Sequence, residues 1–206
     1  GIDEEIISPM SPLLNYTLDA TVGEDLFSYV NEAVAGYVAA GGGRIHGFGI
    51  VPLQDPAVAA RQLSQIADLG LSGVEIATHV NGVPIGDIRF REVFQEAERL
   101  GLATFVHTLP RADEPCVPPE LRGSIGVGIE ATRGASSLAF GGHADHCALD
   151  RILFSHAAGG LPSVLARVDY FWQNAPEDAR SATRPSDVAR RFYYDSMVFD
   201  PRGLRF

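Results

Sequence analysis

Lysine is absent: all sixteen basic residues of this 206-residue chain are arginine. That excludes a lysine Schiff base and a P-loop lysine, and leaves arginine to hold any anionic substrate group. Cysteine is almost as scarce. Cys116 and Cys147 stand without CxxC or Cys/His zinc-finger spacing, which excludes a disulfide framework and a structural zinc site and suits a reducing cytoplasm. No basic-then-apolar leader opens the chain, and its longest apolar run, near residues 34–40, falls far short of the ~20 residues that cross a bilayer. Positive charge is in deficit too. A net charge of −10 disfavours nucleic acid and anionic membranes as partners, so a small molecule or another protein is expected.

What the chain does contain is a steady alternation of strand and helix signals. Strand patterns fall at 5–8, short and buried, and at 45–53, 71–79, 102–107, 151–156 and 191–198. Between them lie helical patterns at 23–40, 56–70, 90–100, 131–140 and 162–172, and Asp200-Pro201 opens one more. Asp55-Pro56 provides an N-cap followed by a first-turn proline, and glycines at 41–43 and 101 end helices. Leu-Gly-Leu recurs at 69–71 and 100–102, a repeat of about thirty residues that successive βα units produce.

The length suits one substantial core rather than two domains. Six parallel strands with crossover helices imply an α/β fold. A closed eight-stranded barrel takes about 250 residues, so the expected architecture is a single, partial (β/α)8 TIM-barrel-like domain. About six of its eight βα units are present, one strand being absent at each end. An open doubly wound sheet is the structural alternative. A proline- and glycine-rich insertion at 110–128 is a candidate lid.

Three strand patterns end in histidine: His79, His107 and His156. Residues at the carboxyl ends of barrel strands perform the chemistry, and imidazoles there suit metal binding or proton transfer. A single strand-end histidine is more often structural. Repetition at successive strands favours function for His107 and His156 and leaves His79 evenly balanced. Asn81 follows His79 in a His-Val-Asn-Gly segment that borders the same region, although Asn-Gly is also a common turn. His46 lies toward the opposite face, and His143 and His146, flanking Asp145, read as surface residues.

Several segments occur together and in order: Val51-Pro52-Leu53-Gln54-Asp55-Pro56, His79-Val80-Asn81-Gly82, Ala97-Glu98-Arg99-Leu100, Phe105-Val106-His107, and Phe192-Tyr193-Tyr194-Asp195-Ser196 through Asp200-Pro201. Together they resemble the amidohydrolase-related decarboxylases of the aminocarboxymuconate semialdehyde decarboxylase type. The resemblance implies a metal-dependent barrel enzyme, usually with zinc and with manganese as the alternative, that releases carbon dioxide from a small carboxylic acid. It makes His107 the fifth-strand metal ligand and His156 the catalytic acid/base. Arg167 then matches an arginine that binds the substrate carboxylate across a homodimer, with His79 and Asn81 beside the substrate. The metal would make hydroxide available by lowering the pKa of its water to about 7.

The departures are equally specific. The family's first-strand His-x-His pair and eighth-strand aspartate have no counterpart in these residues, Ala157-Ala158 stand where glycines are frequent, and Phe199 replaces a frequent histidine. Two further readings stand beside decarboxylation: a metal-dependent hydrolase of an ester, lactone or amide, and a non-catalytic or degenerate family member.

Overall fold

The computed structural model describes residues 1–109 and 117–205. In chain order its strands are β1 (Glu5–Ile7), β2 (Ile45–Ile50), β3 (Gly73–Ala77), β4 (His79–Val80), β5 (Val83–Pro84), β6 (Ala103–His107), β7 (Ile152–Phe154) and β8 (Tyr193–Tyr194). Its α-helices are α1 (Ala20–Ala40), α2 (Pro56–Asp68), α3 (Arg91–Leu100), α4 (Val127–Phe140), α5 (Leu161–Gln173) and α6 (Pro185–Ala189). The chain divides into two compact units, Gly1–Ile76 with Arg89–Phe105, and Ala77–Ile88 with Val106–Phe206.

In the first unit β1, β2, β3 and β6 are neighbours in that order. Parallel register sets Glu5 opposite Ile45 and Phe48 opposite Gly73. The helices start and stop where local chemistry directs. The Asp19 side chain accepts the Thr21 N–H at 2.9 Å to cap α1, and Asp55 does the same for Val58 at 3.1 Å before the first-turn Pro56 of α2. Gly101, at φ 70°, closes α3 in the left-handed conformation that glycine adopts without strain. Phe27, Asn31 and Val34 share the buried face of α1, and Ala59, Leu63 and Ile66 that of α2. Each fully buried Leu or Ile here contributes roughly 1.5–3 kcal/mol.

The buried polar groups of this unit include Asn31 and Glu75. Asn31 grips the backbone of Ile50, donating to its carbonyl at 3.0 Å and accepting from its N–H at 2.8 Å, and so fixes the carboxyl end of β2. Glu75, on β3, is only 1% exposed. Burial pushes its carboxyl up to about 7, against a smaller opposing effect of a hydrogen bond with Ser8.

In the second unit β7 and β8 follow the end of β6, with Leu153 opposite Tyr193 and Phe154 opposite Tyr194 in parallel register. Helices α4, α5 and α6 pack there around Ala131, Ala135, Leu138, Leu161 and Val188. The hairpin β4–β5 rests against α4. A Cβ on Gly86 would meet the Ser137 carbonyl oxygen at 1.9 Å, so only glycine permits that approach. No helix among the described residues is long and apolar enough to cross a membrane.

The alternation of strands and helices agrees with the expected α/β class, and several local readings are corrected. β1 forms but is not buried: Ile6 is 57% exposed, because among the described residues only β2 pairs with it. The strand expected at 71–79 stops at Ala77, and His79 instead opens a hairpin whose turn residues, Asn81 (φ 49°) and Gly82 (φ 85°), make a type I′ turn. The strand at 191–198 contracts to two residues, and the short α6 before it is unforeseen. Among the described residues no α-helix follows Asp200-Pro201, where a turn leads to a 3-10 turn at Gly203–Arg205. His143 is not a surface residue but fully buried, its Nε2 donating to the Gly86 carbonyl at 3.1 Å, whereas His146 is exposed. Of the insertion, 110–116 with Cys116 lie outside the described residues; the rest forms the helical turns Pro119–Leu121 and Arg122–Gly126 leading into α4.

Candidate active site

His107 is the last residue of β6 and half-buried. Its Nδ1 lies 3.0 Å from the carbonyl oxygen of Thr108. A carbonyl can only accept, so Nδ1 carries the proton and the lone pair of the neutral ring is on Nε2. Burial holds the His107 pKa below the ordinary histidine range; the Thr108 bond and the Asp195 charge oppose this, and His156 adds to it. The segment is pinned on both sides. The Thr78 N–H donates to the His107 carbonyl at 3.1 Å, and the Thr108 N–H donates to Ser155 Oγ at 3.2 Å.

His156 meets His107 edge-on, with ring centroids 5.6 Å apart and planes at 77°. It is brought there by an abrupt turn at the end of β7. His156, Ala157 and Ala158 have φ of 53°, 49° and 56°, three successive left-handed residues without a glycine. Such a conformation costs about 1–2 kcal/mol per residue. Gly159 then takes φ 61°, where a Cβ would lie 2.2 Å from the Gly128 carbonyl oxygen. Hydrogen bonds hold the turn: the Ala157 N–H to Asp195 Oδ1 at 2.9 Å, the Gly159 N–H to the His156 carbonyl at 2.8 Å, and the Gly160 N–H to Thr132 Oγ1 at 2.7 Å.

Asp195 is the site member that the sequence reading did not single out. Its signal was present in the Phe-Tyr-Tyr-Asp segment, which read only as part of a family pattern. The other nominated residues are placed differently. The Gly82 N–H donates to His79 Nδ1 at 3.3 Å, so Nε2 is the protonated nitrogen that bonds the Leu109 carbonyl at 3.1 Å. Backbone groups thus engage both nitrogens of His79, and Asn81 supplies the left-handed turn beside it. Arg167 is exposed on α5, its guanidinium 5.4 Å from the ring centre of Phe171, in a groove of about 390 Å³ lined also by Ser136, Phe140, Val164 and Val168. A larger surface cavity of about 570 Å³ beside Trp172 holds Arg180 and Arg184. It lacks a catalytic pair, and Arg184 is already engaged by Asp187 at 2.9 Å.

The donor chemistry can be set against a metal. His107 is neutral with its lone pair on Nε2, the form of imidazole that ligates a divalent ion, and a second group fixes that tautomer through Nδ1. Among the described residues no group of three or more His, Cys, Asp and Glu side chains converges. His107 therefore fits as one arm of a metal site.

The chain is similar to 2-amino-3-carboxymuconate-6-semialdehyde decarboxylase of Dictyostelium discoideum, at 26% identity over 209 residues, covering all of this chain and 58% of that protein. The crystal structure of 5-carboxyvanillate decarboxylase from Sphingomonas paucimobilis superposes with a TM-score of 0.85 at 31% identity, over 98% of this chain and 63% of that one. A 5-carboxyvanillate decarboxylase from Novosphingobium aromaticivorans, 25% identical with a TM-score of 0.74 over 88% of this chain and 53% of that one, was solved with manganese and a nitrobenzoic acid. The chain thus spans less than two thirds of the length of these relatives, and its α/β fold is that of part of their TIM barrels. The family model Amidohydro_2, described as amidohydrolase, matches residues 19–204. That match runs from the N-cap of α1 into the last helical turn, and the chain belongs to this amidohydrolase family.

Proposed function

We propose that the protein is a metal-dependent decarboxylase acting on a small carboxylic acid. The observation that carries this reading is the pairing of His107 and His156, 5.6 Å apart at the ends of neighbouring strands. The relatives named above, all decarboxylases, favour it over hydrolysis. His107 would hold the divalent ion through Nε2, with manganese or zinc as the metal. When bound, such an ion polarises substrate oxygens and acidifies water to a pKa of about 7. Burial favours the neutral imidazole, and the Thr108 bond fixes its tautomer.

In the reaction the bond between carbon and carboxylate breaks, carbon dioxide leaves, and the electron pair stays on carbon. His156 delivers the proton to that carbon, a task suited to imidazole because histidine titrates near neutrality. Arg167 would bind a substrate carboxylate through its planar fork from a second copy of the chain. Exposed Phe171 and Tyr170 beside its groove supply apolar surface for a homodimer. His79 and Asn81 would shape the substrate wall through the hairpin turn. A cytoplasmic location would suit a chain with two cysteines and no disulfide framework.

The test is carbon dioxide release from 5-carboxyvanillate and γ-resorcylate by the intact protein, loaded with manganese or zinc and then stripped by a chelator. Metal-dependent release is the expected result. Hydrolysis of aryl esters or lactones without carbon dioxide would overturn the decarboxylase reading.

A further inference from the structure

The acid/base reading of His156 leaves Asp195 without a task, although its carboxylate reaches the turn that presents that histidine. We propose that Asp195 is the positioning residue for His156, its Oδ1 fixing the left-handed turn that sets the imidazole beside His107. The consequence for turnover rests on the acid/base reading; the structural consequence does not.

Three observations converge on this assignment. The turn is improbable on its own sequence, since His156, Ala157 and Ala158 all take positive φ where glycine alone adopts it freely. Such a conformation persists only where the surroundings over-determine it. Inside the turn, the Gly159 N–H is satisfied locally by the His156 carbonyl, but the Ala157 N–H has its acceptor 38 residues away, in Asp195. Asp195 is itself fixed with respect to β7. Its N–H donates to the Phe154 carbonyl at 3.1 Å, and its Oδ1 also accepts the Met197 N–H at 3.1 Å. The near side of the turn is therefore tied to the β7–β8 pair: through Phe154 just before it, and through the Asp195 carboxylate at its second residue. Thr132 holds only the far side, at Gly160.

A hydrogen bond to an ionised acceptor is among the stronger ones, and asparagine retains the accepting oxygen while losing the charge. Asp195→Ala and Asp195→Asn would be compared in the intact protein. In the metal-free form, the imidazole NMR signal of His156 and amide exchange at Ala157 report the turn directly. Asp195→Ala should displace that signal and speed Ala157 exchange by about tenfold or more, with kcat falling by at least a similar factor and KM changing little. Asp195→Asn should restore most of both. An unmoved His156 signal in Asp195→Ala would overturn the proposal, as would Asp195→Asn behaving like Asp195→Ala. If Asp195→Ala does not fold, the Asn variant decides: retained signal, exchange and turnover support the proposal, and their loss overturns it. A displaced signal with turnover intact would uphold the positioning role and refute the acid/base reading of His156.

Discussion

Replacing Glu75 with glutamine tests how the first unit handles a buried carboxyl. Glu75 is 1% exposed, and its Oε2 has no hydrogen-bond partner among the described residues. Burial raises its pKa from 4.5 to about 7. The folded state therefore binds more protons than the unfolded state between those values, and stability falls as pH rises through that window. At about 1.4 kcal/mol per pH unit, the displacement corresponds to roughly 3 kcal/mol, fully present below pH 4.5 and lost above 7. Glu75→Gln keeps the shape and an acceptor for Ser8 but removes the titration. Its buried amide donors introduce a constant offset of about 1–3 kcal/mol, which cancels when two pH values are compared. Urea unfolding of both proteins at pH 4.5 and pH 8.5, at fixed ionic strength, should show the variant gaining about 3 kcal/mol relative to wild type between the two. Parallel pH profiles for the two proteins would refute the reasoning.

His107→Ala should abolish stoichiometric metal binding, measured by elemental analysis of the purified protein; retained metal would remove His107 from the ligand set. His156→Asn should keep the metal while turnover drops by about 10²–10⁴-fold, and undiminished carbon dioxide release would exclude His156 as the proton donor. Asn31→Ala strips both partners from the Ile50 backbone and should destabilise by about 2–4 kcal/mol in chemical unfolding, an effect below about 0.5 kcal/mol arguing against the bracket. Mixing inactive Arg167→Ala and His156→Asn subunits should recover activity, because a mixed dimer has one site with both groups intact; no recovery would exclude Arg167 acting across subunits.

Where signals are local, the sequence was legible. Asp55 and Pro56 open α2, and Gly101 closes α3, because a cap depends on a few adjacent residues whose chemistry does not wait for tertiary structure. The proximity of His107 and His156 was partly legible because the strands of a parallel sheet end on one side, although β7 stops at Phe154 and His156 lies in the turn beyond it. Burial was less readable, since it depends on neighbours. Ile6 is as apolar as Ile50, yet Ile50 belongs to β2, which has a strand on each side, and Ile6 to β1, which has one among the described residues. His143 stands in a polar-looking loop, and only the fold brings Gly86 within reach of its ring.

The turn at His156 was illegible for a deeper reason. Alanine is a strong right-handed helix former, and Ala157-Ala158 in isolation point away from the conformation they adopt. What overrides that preference is a carboxylate 38 residues later and a threonine hydroxyl on α4. Chemistry and geometry are thus specified by different residues: position 156 supplies an imidazole, while Asp195 and Thr132 help hold the turn that places it beside His107. A substitution at Asp195 should then displace His156 without touching it, whereas glycine at 157, by lowering the cost of the left-handed turn, should make the placement of His156 less dependent on that carboxylate.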